Sequence, residues 1–449
     1  MKRDRYKRMV IFFEVIILLA VFTALYSYLW NTLYESVVLI PFFRRGNWAM
    51  VAMYPILLLV FGKIFGVFHV AVARRVDMIF SNVFNTFVAN LITYFILVAL
   101  LRHYPDMTPL IILWVVEIVL SVLWVFGVKA LNNVIFPPHS LLLIHGDYSL
   151  KELVLHVNER SERYVITEVI NVSEGMKKLT ERIAAHDAIL ISDLPAEIRN
   201  DILKYCYAID KRIYMLPKIT DIIVSSSDQI HLFDNVAYIS KNYGLAQDQR
   251  IFKRAMDLVL SSVMIVLTSW LMLIIAAAIR IGDGGPAFYR QERLSIGGKV
   301  FKIIKFRSMR VDAEKMGPQL STMHDPRITK VGRILRAAHL DELPQLFNVL
   351  KGDMSMVGPR PERPEIFNEY INHVPEFQFR LKVKAGLTGY AQVYGRYNST
   401  PYNKLRLDLT YIQNYSIWLD IKCLVMTVKI LFQKEAREGI SDDQKTAQK

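Results

Sequence analysis

The sequence predicts a membrane protein in three parts. These are a four-helix transmembrane bundle (1–136), a small Rossmann-like α/β domain (137–247) and a basic C-terminal domain (248–449) that opens on a fifth apolar helix. Three observations predict this. Hydrophobic residues make up 53 % of the 449-residue chain, more than a soluble composition carries, and they gather in long runs in the first third and once near the middle. Strand-like and helix-like patterns alternate over about 139–245. Much of the formal net charge of +14 follows the last long run. The length itself suits two or three domains of roughly 100–200 residues.

Four runs, about 9–30, 48–68, 83–101 and 110–128, are long enough to cross a core of roughly 30 Å. The first follows MKRDRYKR but is too long for a signal peptide and has no small-residue cleavage site, so it reads as a retained helix. Lys2, Arg3, Arg5, Lys7 and Arg8 hold the N-terminus inside; Lys63, Arg74 and Arg75 mark the second loop as inside, and Lys129 follows the fourth run. Arg44 and Arg45 in the first loop point the other way. An even number of crossings returns the chain to the cytoplasm.

Pro137 and Pro138 end the bundle. LLLIHGD, YVITEVI, DAILIS and KRIYMLP read as strands, and LKELVLHVNER and IRNDILKYCYAI as helices, which implies a parallel sheet. The first turn, HGDYSL, lacks the G-x-G-x-x-G that lets a backbone approach a pyrophosphate. A structural or regulatory module is therefore expected rather than a dinucleotide site. Cys206 and Cys423 stand far apart, each alone, and give no grounds for a disulfide framework or a cysteine metal site.

The apolar run at about 255–279 admits two readings. As a fifth crossing it would carry a strongly basic domain to the far side of the membrane. As a re-entrant helix it satisfies Lys253 and Arg254 before it and Arg280 after it. A re-entrant turn breaks the backbone ladder in lipid, where an unpaired amide costs several kcal/mol. Ser261, Ser262, Thr268 and Ser269 offer oxygens to cover such a break.

Beyond Arg280 lie YRQER between two Gly-rich turns, then a strand-like FKIIKF that delivers Lys305 and Arg307. Ten cations between Lys299 and Arg336 face only Asp312, Glu314 and Asp325. A solvated basic face explains such a run, as does recognition of a diphosphate by arginine forks and lysine point charges. Nucleic acid is not the expected partner. In HLDELPQLFNVL, Asp341 and Glu342 fall at a helix start, with Pro344 close behind. They read as caps and dipole partners. They also suit phosphoryl transfer, one as a nucleophile and one as a ligand of Mg²⁺. Adjacent helical residues point apart, so the two should not share a role. In GPRPE, Pro359 and Pro361 stiffen the backbone around Arg360; KAGLTGYAQVYGR then supplies turns and Arg396. The stretch from Leu407 to Phe432 is amphipathic and suits either the membrane interface or a packed core.

These blocks, KRAMD, YRQER, KFRSM, DPRITKVGR, LDELPQLFNVLKGDMSMVGPRPE, GLTGYAQVYGR and LDLTYI, resemble the bacterial sugar transferase family. The likeness is to its long form, the monotopic polyprenyl-phosphate phosphoglycosyltransferases, and runs from about Lys253 to Phe432. It implies that the C-terminal part is an α/β monotopic catalytic domain with a re-entrant membrane helix. Asp341 would be the nucleophile that attacks the β-phosphorus of a UDP-sugar, giving an aspartyl phosphosugar and UMP. Glu342 would hold Mg²⁺. Polyprenyl (undecaprenyl) phosphate would then take the sugar phosphate.

The resemblance also implies that Lys305, Arg307, Arg336, Arg360 and Arg396 handle phosphate or nucleotide, and that Pro359, Arg360 and Pro361 help form the uridine site. The cell membrane of a bacterium is the implied location, with the catalytic domain on the cytoplasmic face. Long-form relatives commonly use a hexose-1-phosphate to begin exopolysaccharide or capsule. The bundle and the middle domain offer surface for a homodimer. Two departures stand out. The family breaks the re-entrant helix at Ser-Pro, where this chain has Ser269–Trp270, and it prefers proline at Ala385. The competing readings are a non-catalytic membrane scaffold of glycan assembly and a glycosyltransferase that releases UDP.

Overall fold

Four apolar helices begin the chain: α1 (Lys2–Leu29, continued by a π-helical turn, Trp30–Tyr34), α2 (Arg44–Phe65), α3 (Arg75–Leu101) and α4 (Thr108–Ile135). The computed structural model describes residues 2–35, 44–68, 70, 73–146, 154, 164–240, 243–310, 325, 327–395 and 400–431. It divides into two compact units, Met1–Leu216 and Pro217–Lys449. All four helices are long and apolar enough to cross a membrane. Their outer faces carry exposed Phe, Ile, Val and Leu, while their inner faces bury Tyr26, Trp30, Tyr54, Leu58 and Leu97. Inside, the Tyr54 hydroxyl donates to Glu117 Oε1 (2.6 Å) and Asn90 Nδ2 to Glu117 Oε2 (2.8 Å), joining α2, α3 and α4. Polar bonds of this kind hold helices together where lipid gives no hydrophobic drive.

The same unit continues into a four-stranded parallel sheet, β1 (His139–His145), β2 (Tyr164–Asn171), β3 (Ala188–Ser192) and β4 (Arg212–Met215), in the order β2-β1-β3-β4. Leu142, Ile144, Ile189 and Ile191 form its core with Leu179 and Ile183 of α5 (Met176–Ala185) and Ile202 of α6 (Ala196–Ala208). The helix expected over 150–160 lies, apart from residue 154, outside the described residues.

Residues Ile219 and Ile222 of α7 (Ile219–Ser225) are buried in the core of the C-terminal compact unit, Pro217–Lys449. A hairpin, β5 (Asp228–Leu232) and β6 (Asn235–Ile239), leads to α8 (Gln247–Asp283). This 37-residue helix is about 55 Å long, and it too is apolar enough to cross a membrane. Its backbone stays helical through Ser269 and Trp270, where no proline removes an N–H. Thr268 Oγ1 donates back to Met264 O (2.7 Å) and Ser269 Oγ to Val266 O (2.9 Å), leaving the ladder intact.

The start of α8 is fixed by charge. Lys253 Nζ donates to Asp420 Oδ2 (2.6 Å) and to the Tyr411 hydroxyl (3.1 Å), and Tyr411 donates to Asp420 Oδ1 (2.7 Å), all in a buried setting. Arg254 donates to Val349 O (2.7 Å) and Leu350 O (2.8 Å). Asp257 accepts from Ser355 Oγ (3.0 Å) and Met356 N (2.9 Å). The far end is fixed by packing: Met272, Ile275 and Ile279 cluster with Phe306 and Leu335. The remaining face of α8, including Val259, Val263, Val266, Leu267, Trp270 and Leu273, is exposed.

The amphipathic C-terminal stretch divides into two helices, α11 (Pro401–Gln413) and α12 (Ile417–Leu431). Leu405, Leu409, Tyr411, Ile412 and Cys423 enter the core, while Trp418 is exposed. Lys253→Met leaves Asp420 buried without its cation and should lower stability by about 3–5 kcal/mol in thermal unfolding of the detergent-solubilised protein. Lys253→Met with Asp420→Leu should recover most of that loss. A single-variant loss below about 1 kcal/mol would show the pair to be solvated.

Candidate active site

Three segments converge. The first is an antiparallel hairpin, β7 (Phe288–Leu294) and β8 (Val300–Phe306), in which Lys305 lies opposite Tyr289. The second is the turn Pro359–Glu362. It follows β9 (Ser355–Val357), which pairs in parallel with β10 (Gly386–Thr388). The third runs from α9 (Lys330–Ala337) through a 3₁₀ turn, Leu340–Glu342, into α10 (Gln345–Lys351). His339 takes a left-handed φ of 53° between α9 and the 3₁₀ turn, which redirects the chain at a local cost of roughly 1–2 kcal/mol. Asp341 and Glu342 thus stand at the head of α10.

The turn holds Arg360 from behind. All four of its carbonyls are occupied: Pro359 O accepts from Gly386 N (2.9 Å), Arg360 O from Arg380 Nη2 (3.0 Å), Pro361 O from Arg293 Nη1 (3.0 Å) and Glu362 O from Leu294 N (3.1 Å). Pro359 and Pro361 are buried and follow trans peptide bonds. With every carbonyl turned inward, the Arg360 side chain is left projecting outward. The crossing needs glycine: a β-carbon on Gly386 would fall 2.0 Å from Gly358 N. Ala385, where the family prefers proline, donates its N–H to Ser295 Oγ (3.3 Å), a bond proline could not make.

Glu342 Oε1 receives Lys305 Nζ at 2.7 Å and Arg360 Nη2 at 2.8 Å. Asp341, next to it, makes no ion pair or hydrogen bond through its carboxylate among the described residues. The two electrostatic environments are opposite. Burial disfavours the Glu342 anion, but Arg360 and Lys305 outweigh it and hold the carboxyl well below its usual range. Burial and the charge of Glu342 push the Asp341 carboxyl up, against the weaker pull of Lys305, Arg336 and His339. Adjacent carboxyls driven apart in this way mark distinct chemical roles.

The other expected residues are placed as follows. Arg336 Nε donates to Ser308 Oγ (2.8 Å), and its charge reaches Asp341. Arg307 is buried beneath the Gly285 turn, where a β-carbon would fall 1.9 Å from its Nη1, and it makes no ion pair with Asp341 or Glu342. The strand ends at Phe306, so the alternation that would put 305 and 307 on one face stops there. Arg396 lies outside the described residues. Ser269 and Trp270 lie on α8 and do not join this cluster. Sequence reasoning missed the supports, namely Arg293, Arg380 and Asn348. Arg380 is buried between Asp408 (2.8 Å) and Glu362 (3.5 Å). Arg293 lies inside YRQER, while Arg380 lies outside the motifs singled out in the sequence and carries no local signal.

A family model described as bacterial sugar transferase matches residues 248–434. A UDP-glucose:undecaprenyl-phosphate glucose-1-phosphate transferase of Klebsiella pneumoniae is 35 % identical over 272 residues, 59 % of this chain and 56 % of that protein. A protein of the same description from Caulobacter vibrioides is 42 % identical over 186 residues, 40 % of this chain and 69 % of its own length. A UDP-N-acetylgalactosamine-undecaprenyl-phosphate N-acetylgalactosaminephosphotransferase of Aeromonas hydrophila is 39 % identical over 182 residues, 40 % of this chain and 43 % of its own. The chain spans about half the length of the Klebsiella and Aeromonas proteins.

The opposed carboxyls give a stability signature. An acid whose folded pKa is raised costs stability once pH climbs past its unfolded value, and one whose folded pKa is depressed adds stability that is lost as pH falls. Asp341→Asn should therefore raise the melting temperature at about pH 7.5, with the gain shrinking toward pH 4. Glu342→Gln should lower it at about pH 7.5, with the loss shrinking as acid protonates the carboxyl. Shifts of the same sign in both variants would contradict this electrostatic contrast.

Proposed function

Because the chain belongs to the bacterial sugar transferase family, we propose that it transfers a hexose-1-phosphate from a UDP-sugar to undecaprenyl phosphate, the first step in building an exopolysaccharide or capsule. The observation that carries this reading is the pair of adjacent carboxylates, one clamped by two cations and the other without a hydrogen bond or ion pair among the described residues. A carboxylate whose charge is poorly compensated is ready to share its electrons with phosphorus.

Asp341 attacks the β-phosphorus of the UDP-sugar. An oxygen–phosphorus bond forms to Asp341, the bond to the bridging oxygen breaks, and UMP leaves with the electron pair. Lys305 and Arg360 are held on Glu342 at the same point, where they offset charge on the diphosphate oxygens. An oxygen of undecaprenyl phosphate then attacks the same phosphorus. This frees Asp341 and yields undecaprenyl-diphosphate-sugar. The two-step route keeps two phosphate substrates from having to meet. Arg336 and the Pro359–Pro361 turn flank the cluster and suit the nucleotide. Each protomer carries both the carboxylates and the clamp, so the chemistry asks nothing of a second copy.

The donor set fits Mg²⁺. Glu342 Oε1 takes both cations while Oε2 has no protein donor among the described residues, and Asp341 adds a second carboxylate. No group of three or more His, Cys, Asp or Glu gathers there among the described residues, so substrate oxygens would complete the shell, as Mg²⁺ prefers. Held by Glu342, the ion would neutralise charge on the diphosphate.

Membrane attachment follows from α8. Its start is tied to α10, α11, α12 and β9, and its end to Phe306 and Leu335, all within one unit. A helix crossing the bilayer would place those ends on opposite sides. Attachment of both ends to one domain supports entry and exit on a single face, with the exposed apolar side toward lipid. Lys253, Arg254 and Arg280 favour the cytoplasmic face.

The test is product analysis. Membranes holding the protein, given UDP-glucose, Mg²⁺ and undecaprenyl phosphate, should release UMP, and Asp341→Asn should lower the rate by about 10⁴-fold. A panel of UDP-hexoses then identifies the donor. Release of UDP would show transfer of sugar without phosphate, and unchanged turnover in Asp341→Asn would remove the nucleophile.

A further inference from the structure

We infer that Asn348 is a positioning residue for this transfer, fastening the strand that carries Lys305 to the helix that carries Asp341 and Glu342. The inference rests on the proposed function and adds a residue to its machinery.

The hairpin β7–β8 is a sheet of two strands, so one edge of β8 has no strand partner among the described residues. Lys302 and Ile304, of like parity, turn their main-chain groups to that edge. Asn348 fills it. Its Oδ1 accepts from Ile304 N at 2.9 Å and its Nδ2 donates to Lys302 O at 2.9 Å. A primary amide presents a carbonyl and an N–H side by side, as a backbone peptide does, so one side chain stands in for a third strand. Asn348 is only 2 % exposed. Few residues could replace it: aspartate keeps the acceptor and loses the donor, and glutamine is one methylene too long.

The position matters more than the bonds. Ile304 immediately precedes Lys305, whose Nζ reaches Glu342 Oε1 at 2.7 Å. Asn348 lies on α10, whose head bears Asp341 and Glu342. The main chain carrying the cation and the main chain carrying the carboxylates are therefore joined within a few residues of the Lys305–Glu342 contact. The other end of α10 is pinned by Arg254 of α8 through Val349 O and Leu350 O. With α10 held at that end and β8 held at Asn348, the lysine has little room to leave Glu342. A displacement of about 1 Å at such a contact can cost on the order of 10²-fold in rate.

The experiment is a double-mutant cycle on UMP release in the full-length, membrane-inserted protein: parent, Lys305→Ala, Asn348→Ala and the pair, with Asn348→Asp alongside. Asn348→Ala alone should lower kcat between about tenfold and 10²-fold. In the Lys305→Ala background it should cost less than about twofold more, because the contact it positions is already gone. Asn348→Asp should fall between parent and alanine. Should Asn348→Ala prove too unstable, the aspartate variant carries the same cycle, and hydrogen exchange at Ile304 N–H reports the lost bond. Equal losses in both backgrounds would overturn the inference, since the residue would then act on the fold at large. So would a Lys305→Ala enzyme with normal kcat. A parent protein that releases no UMP would instead refute the proposed function.

Discussion

One carboxylate oxygen, Glu342 Oε1, takes the charge of both Lys305 and Arg360, and the rest of the C-terminal unit is arranged around that meeting. Two cations and an anion brought together in a half-buried place repel, attract and lose water at once. Such a cluster holds only if each member is fixed by something other than the cluster. Lys305 is fixed by a strand whose open edge is closed by Asn348. Arg360 is fixed by a turn whose four carbonyls all have donors. Glu342 is fixed by the 3₁₀ turn at the head of α10.

The consequence for Asp341 is indirect. Because its neighbour collects the nearby cations, Asp341 is left half-buried, next to a negative charge and, among the described residues, without a hydrogen-bonded or ion-pair partner. Two identical functional groups one residue apart are thereby made chemically different, one a fixed anion and the other a strained one. The long helix serves the same end at larger scale. Lys253, Arg254 and Asp257 bind it to the segments that carry the site, so the exposed apolar face of α8 and the carboxylate cluster belong to one body. The proposed transfer, from a water-soluble donor to a lipid-borne acceptor, needs such a body.

Much of this was legible in the sequence because it rests on short-range pattern. Apolar runs announced the helices, alternation announced the parallel sheet, and Asp341 and Glu342 stood at an evident helix start before Pro344. Other features depend on distant partners that no local pattern reveals. Asn348 looks like one polar residue on a helix, and its role requires knowing that an open strand edge lies opposite. Arg293 and Arg380 look like surface charge until the carbonyls of the Pro359–Glu362 turn are seen beneath them. That Arg307 lies beneath Gly285 is likewise a matter of tertiary packing. At Ser269–Trp270, where no proline stands, the hydroxyls of Thr268 and Ser269 bond back along α8. The start of the C-terminal unit was set by two isoleucines, 219 and 222, whose burial belongs to tertiary packing.

The central claim is that Asp341 is the partnerless member of the pair and takes the phosphosugar. It is tested most directly by incubating the protein with a radiolabelled UDP-hexose in the absence of undecaprenyl phosphate, quenching, and mapping the labelled peptide by mass spectrometry. A phosphohexose on Asp341, discharged when undecaprenyl phosphate is added before the quench, is the expected result. Label on Glu342, or UMP formed with no protein-bound sugar phosphate at any time, would contradict it.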